Sequence, residues 1–145
     1  MGNEKIVGGI MYIKEFMSTI YVGDRYVKGI VIDSIEKEVK IKISEISRKR
    51  SEDGKWNYYN DENIENGYLV FTEVSYFSMQ PPGLIPDDEL YHWEIKELQN
   101  GIIEIDLYMG SYEGNEMGER EVIAKIRAKG ACLEDPQDPS NRSYD

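Results

Sequence analysis

One cysteine and one histidine are all that the 145 residues contain. A single thiol, Cys132, excludes an internal disulfide and a cysteine-based zinc cluster, and it agrees with a reducing compartment. With His92 as the only imidazole, no Ser-His-Asp or Cys-His order can be recognised. Cys132 therefore reads as a small buried apolar residue rather than a nucleophile. Long apolar runs are also missing: none approaches the roughly 20 residues needed to cross a bilayer. The first residues lack the basic start and continuous apolar stretch of a signal peptide. Met1-Gly2-Asn3 does not continue into an N-myristoylation motif, because Ile6 stands where Ser or Thr is wanted. Gly8-Gly9 precedes a helix but lacks the lysine-serine ending of a phosphate loop, and no dinucleotide glycine pattern occurs. The expectation is a cytoplasmic protein with no membrane contact and no cofactor.

What the chain has in quantity is negative charge and aromatic rings. The formal net charge is -11, and it is unevenly distributed. Residues 1–50 carry ten Lys/Arg against seven Asp/Glu, whereas residues 51–119 carry only Lys55 and Lys96 against 16 acids. Residues 120–145 balance at five against five. A field of this sign repels nucleic-acid phosphate and anionic lipid, and it steers in basic protein partners. Hydrophobic residues make up 40% of the chain and 16 are aromatic, which is too many for intrinsic disorder. The length fits a single domain over 1–133, followed by a flexible acidic tail over 134–145 with two prolines and no large aliphatic residue.

Ile13, Phe16, Met17 and Ile20 share one helical face and predict a helix near 11–21, with Gly23 suited to its C-terminal cap. The period then changes to two. A strand near 26–33, a short connection over Asp33–Lys37 and the alternation of Val39, Ile41 and Ile43 with Glu38, Lys40 and Lys42 predict a hairpin. Tyr68–Phe77 reads as one strand buried on both faces, ended by Pro81-Pro82-Gly83. Leu90–Leu98, a turn at Gln99-Asn100-Gly101 and Ile102–Tyr108 form the clearest hairpin. Val122, Ala124, Ile126 and Ala128 mark a final amphipathic strand. The expected fold is mainly β (α+β), an antiparallel β-sandwich or half-barrel of about six or seven strands with one N-terminal α-helix.

Several side-chain groups invite chemistry and have a plainer reading. Glu104 and Asp106 share a strand face, but Lys125, Arg127 and Lys129 of the last strand can pair with them across the sheet. Asp61, Asn63 and Glu65 alternate as in a calcium loop, yet the sixth position is Asn66 and the twelfth is Thr72. His92 in a strand reads as packed or interfacial. Arg48-Lys49-Arg50 lacks aromatic interleaving and reads as a strand end rather than a nucleic-acid patch.

The remaining pattern is the coincidence of acids with rings, since 11 of the 16 aromatics lie within residues 51–119. Trp56, Tyr58 and Tyr59 sit beside a turn among Asp61 and Glu62, and Asp87, Asp88 and Glu89 add a second acidic run. Exposed Tyr and Trp ringed by carboxylates suit a surface for a basic protein partner, rings giving affinity and charges giving orientation and on-rate. These eight residues are the expected binding site, with core packing the competing explanation for many of the rings.

The runs Tyr21-Val22-Gly23-Asp24-Arg25, Ile43-Ser44-Glu45-Ile46-Ser47-Arg48, Trp56-Asn57-Tyr58-Tyr59-Asn60-Asp61 and Pro81-Pro82-Gly83-Leu84-Ile85-Pro86 resemble those of a family of small uncharacterised bacterial proteins. The general character of that family is similar to that of immunity proteins, which neutralise toxins. The resemblance carries no activity over to any residue, and its immunity-like character adds weight to the reading drawn from the charge split, a non-enzymatic inhibitor of a basic protein. Two other readings stand beside it: a small-ligand or metal-assisted enzyme using Glu94, Glu104, Asp106 and His92 in a β-sheet cleft, and a structural subunit of a homo-oligomer.

Overall fold

The protein is described by a computed structural model covering residues 9–49 and 63–144. It is mainly β, with one α-helix and twelve strands among these residues. Helix α1 spans Ile10–Ser18 and turns Ile13, Phe16 and Met17 inward. Each such burial contributes roughly 1.5–3 kcal/mol. The helix stops earlier than its apolar spacing predicts. Thr19 ends it by directing both its N–H and its hydroxyl to the carbonyl of Phe16. Ile20 remains buried, but as part of strand β1 (Ile20–Tyr21). Gly23 serves the following turn, where Arg25 N–H donates to Val22, rather than a helix cap.

Three antiparallel sheets follow. The largest has the order β12-β11-β6-β3-β2, built from β2 (Val27–Asp33), β3 (Glu38–Ile43), β6 (Tyr68–Thr72), β11 (Gly130–Asp135) and β12 (Asp138–Ser143). The second has the order β7-β10-β9-β8, from β7 (Tyr76–Gln80), β8 (Leu90–Glu97), β9 (Ile103–Gly110) and β10 (Glu121–Ala128). A small sheet joins β1, β4 (Glu45–Arg48) and β5 (Ile64–Glu65). The β2–β3 hairpin is as predicted, its turn capped by Asp33 Oδ1 accepting from the N–H groups of Ile35 and Glu36.

The expected single strand over 68–77 is two. It bends at Glu73–Ser75 and passes from the five-stranded sheet into the four-stranded one, and its neighbour makes the same passage at Lys129, between β10 and β11. The bend is tied across by Lys129 N–H to Thr72 and Ser75 N–H to Arg127. Strands that change sheets together make the corner between two packed layers. No sheet closes into a barrel: β2 is linked to the approach of β8 through the Val27 N–H bond to Asp88. Val39, Ile41, Leu69, Phe71, Ala131 and Leu133 from one sheet and Ile105, Leu107, Ala124 and Ile126 from the other share one apolar cluster with α1.

The expected loose tail over 134–145 is corrected. Residues 134 and 135 complete β11 and residues 138–143 form β12. Composition hid this, because β12 (DPSNRS) is held by ion pairs rather than by apolar burial. Arg142 donates to Glu38 at 2.7 and 2.8 Å and to Glu134 at 2.8 and 3.0 Å, and Lys40 reaches Glu134 at 3.1 Å. Hydrogen bonding from Arg142 lowers the Glu38 carboxyl below the usual range, and Glu38 in turn raises the Arg142 guanidinium further. Cys132 lies beneath this network, fully buried, and burial pushes its thiol up to about 11.

Candidate functional site

All four strands of the four-stranded sheet have a terminus at one end of that sheet, where two loops meet. Loop 81–89 crosses that end from β7, on one border of the sheet, to β8, on the other. Loop 111–120 connects β9 to β10 beside it. The two are laced together by backbone bonds. Asp87 and Asp88 both donate their N–H groups to the carbonyl of Gly110, whose own N–H bonds to Glu89. Asp87 Oδ1 accepts from Tyr112 N–H at 2.8 Å. Space at the crossing is tight, since a Cβ on Gly110 would lie 3.0 Å from the Cβ of Asp88.

The second loop is fixed from within. Asn115 Oδ1 accepts from the N–H groups of Met117 and Glu119, an Asx-type turn. Gly114 has φ +77°, a left-handed conformation that disfavours side chains, and a Cβ there would meet the carbonyl oxygen of Glu119 at 2.6 Å. The loop thus has a defined shape while leaving Tyr112 74% and Met117 82% exposed.

Tyr91 adds a third element. The register of β8 against β9 slips between Leu90 and His92, leaving Tyr91 as the extra residue of a bulge. Bulges re-aim the side chain they carry. Tyr91 is exposed, its hydroxyl bonds to Glu121, and its ring lies 6.4 Å from that of Tyr108. The two loops and the start of β8 thus expose Ile85, Tyr91, Tyr112 and Met117 and carry Asp87, Asp88, Glu89, Glu113, Glu116 and Glu119, with Glu121 at the start of β10 and Arg120 the only cation of the two loops.

Of the expected binding residues, Asp87, Asp88 and Glu89 are therefore brought to one place. Trp56, Tyr58, Tyr59, Asp61 and Glu62 lie outside the described residues, and so does the first position of the calcium-like spacing. That spacing does not form one loop: Glu65 belongs to β5, opposite Glu45, and Thr72 ends β6. The sequence reading missed Tyr112, Ile85, Met117 and Glu121 as members of the surface. Tyr112 was available as an aromatic among the glycines and acids of 110–118, but its approach to Asp87 depends on a contact 25 residues away.

The enzyme candidates share the outward face of the four-stranded sheet and not a cleft. Glu104 is 3% exposed and is held by Arg127 at 2.9 Å and by Lys96 and Lys125 at 3.2 Å. Burial alone would raise its carboxyl, yet the bonds from Arg127, Lys96 and Lys125 prevail and set it at about 2. Lys125, raised by its bond to Glu104, also stands 3.9 Å from Asp106. The pairing anticipated from Lys125 and Arg127 is present, whereas Lys129 is engaged at the corner between sheets. His92 is 53% exposed, 3.4 Å from Glu94 and tilted against the ring of Tyr108 at 5.1 Å, whose hydroxyl is raised by desolvation and by Glu94 and Asp106. A hollow of about 190 Å³ lies elsewhere, between the β2–β3 hairpin and β7, and none of the four residues lines it. Arg48 ends β4 as a strand-end residue, bonded to Thr19 Oγ1 and lying over the Phe16 ring. No described helix is long and apolar enough to cross a membrane.

The chain belongs to a family of unknown function (DUF6258), which matches residues 11–145. No curated protein and no solved structure matches it.

Proposed function

We propose that this family member is a non-enzymatic binding protein that receives a basic protein partner on the surface formed by loops 81–89 and 111–120 and by Tyr91. The observation that carries the reading is the bond from Tyr112 N–H to Asp87 Oδ1, which fixes the backbone that carries an exposed ring beside exposed carboxylates before any partner arrives. Anchors held in place lose little freedom on binding, so more of their contact energy appears as affinity. The surrounding carboxylates raise the encounter rate with a cationic surface and reject anionic ones.

The most concrete form of the proposal is an immunity-type inhibitor acting in the bacterial cytoplasm against a basic toxin. The scaffold is read as a β-sandwich open at one side, the loop end of its four-stranded sheet being the working end. Affinity capture with the full chain from its host, at low and moderate salt, tests the proposal. A basic protein recovered at low salt and lost with salt supports it, provided that Asp87→Asn/Asp88→Asn and Tyr112→Ala chains fail to retain the same protein. Retention by these variants as by the parent chain places the contact elsewhere and refutes the reading.

A further inference from the structure

The borders of the sheets are not equally protected. Exposed strand borders offer unpaired N–H and C=O groups, and proteins blunt them with charges, prolines and twists. The β12 border carries Asp138, Pro139 and Arg142, and the β8 border carries His92, Glu94, Lys96 and Glu97. Two borders lack such a guard at the centre, β7 (Tyr76–Gln80) and β2, which reads Gly29-Ile30-Val31-Ile32 between a bulge at Lys28 and Asp33. No described strand pairs with the outer side of β2. Val31 is 42% and Ile32 55% exposed, and Ile35 at the adjoining turn is 87% exposed.

We propose that β2 is the contact through which two copies of this chain associate, their strands pairing antiparallel, border to border, over Gly29–Asp33. The occupant follows from charge. An antiparallel partner brings the Lys28 end of each strand beside the Asp33 end of the other, so the strand complements itself. The net charge of -11 does not oppose this contact, because the acids are concentrated in residues 51–119 while residues 1–50 hold ten cations against seven anions. An acidic or basic foreign strand would match only one end. The other end of the border is closed by the Val27 bond to Asp88, which limits the pairing to the apolar centre and leaves the acidic loops uncovered. A contact of this size is in the weak class, with a dissociation constant on the order of 1–100 µM.

Sedimentation velocity of the full chain over a concentration series is the test. The parent chain is expected to form a dimer, and Val31→Lys, which faces outward and sets like charges together across the pair, is expected to weaken it about tenfold or more. Ile35→Lys, at the turn and outside the pairing, is expected to leave the dimer intact. Amide exchange of Gly29–Asp33 in the parent chain should slow as dimer accumulates, a readout independent of any variant. A parent chain monomeric at about 1 mM, a dimer indifferent to Val31→Lys, dissociation by Ile35→Lys equal to that by Val31→Lys, or unchanged exchange in β2 each overturns the proposal.

Discussion

Arg142 and Glu38, 104 residues apart, face each other through two parallel hydrogen bonds of 2.7 and 2.8 Å. The planar guanidinium matches the carboxylate, and the same cation also bonds Glu134. Side-chain exposures of 20% for Arg142 and 13% for Glu38 put the pair in a partly dry setting, where losing one partner leaves the other poorly solvated. Arg142→Ala is therefore expected to destabilise the protein by about 2–3 kcal/mol in urea unfolding. Arg142→Lys should recover only part of this, since an ammonium cannot form the fork.

The same network roofs Cys132. Native protein is expected to resist thiol reagents near neutral pH, because the thiol is buried and its ionisation is pushed up to about 11. In Arg142→Ala, labelling should accelerate well below the denaturant concentration that unfolds the chain, as β12 detaches first. Timed labelling followed by mass spectrometry distinguishes this from global unfolding.

Glu104 gives the fold an acid limb. Its carboxyl is depressed from 4.5 to about 2 in the folded chain, so its contribution is complete above the unfolded value and is lost as pH falls from about 4.5 towards 2. Glu104→Gln is expected to cost about 2–3 kcal/mol at pH 7 and progressively less at pH 3 and below. Stability curves of the two proteins should converge on acidification. Parallel curves would show that the three cations do not stabilise the ionised form.

Gly114→Ala tests the shape of the acidic loop. A side chain there meets both an unfavourable φ and the Glu119 carbonyl, at an expected cost of about 1–3 kcal/mol. Capture of the basic partner should weaken with it even though no charge or ring is removed. Gly118→Ala, where a Cβ meets nothing within 4 Å, carries the φ penalty without the clash and should have the smaller effect.

The helix, the β2–β3 hairpin, β8, β9 and β10 were legible because each declares a period over several residues. Tyr68–Phe77 looks like one strand in the sequence because the bend at Glu73–Ser75 contains no proline or glycine. It is set by Lys37 and Arg127 carbonyls that accept from Val74 and Ser75, contacts remote in sequence. Strand β12 was illegible for the opposite reason: its polar side chains look unstructured until Glu38 and Glu134 are placed opposite Arg142. At the candidate surface, charge alone draws attention to Asp87, Asp88 and Glu89 in the sequence. The bulge at Tyr91 and the Asp87–Tyr112 bond are properties of register and crossing, which no local pattern encodes.

The corner where two strands change sheets constrains length more than composition. The left-handed Glu73, with φ +51°, interrupts the alternation of side chains, so the length of 73–75 is matched to turn both Phe71 and Phe77 to the core side. One residue added between Thr72 and Tyr76 would exchange the inward Phe77 and Met79 for the outward Tyr76 and Ser78, and would do so along the whole of β7. Among members of the family, insertions and deletions should therefore gather in the 111–120 loop and be missing from 73–75, making the acidic end the part of this architecture that can be re-edited without rebuilding the rest.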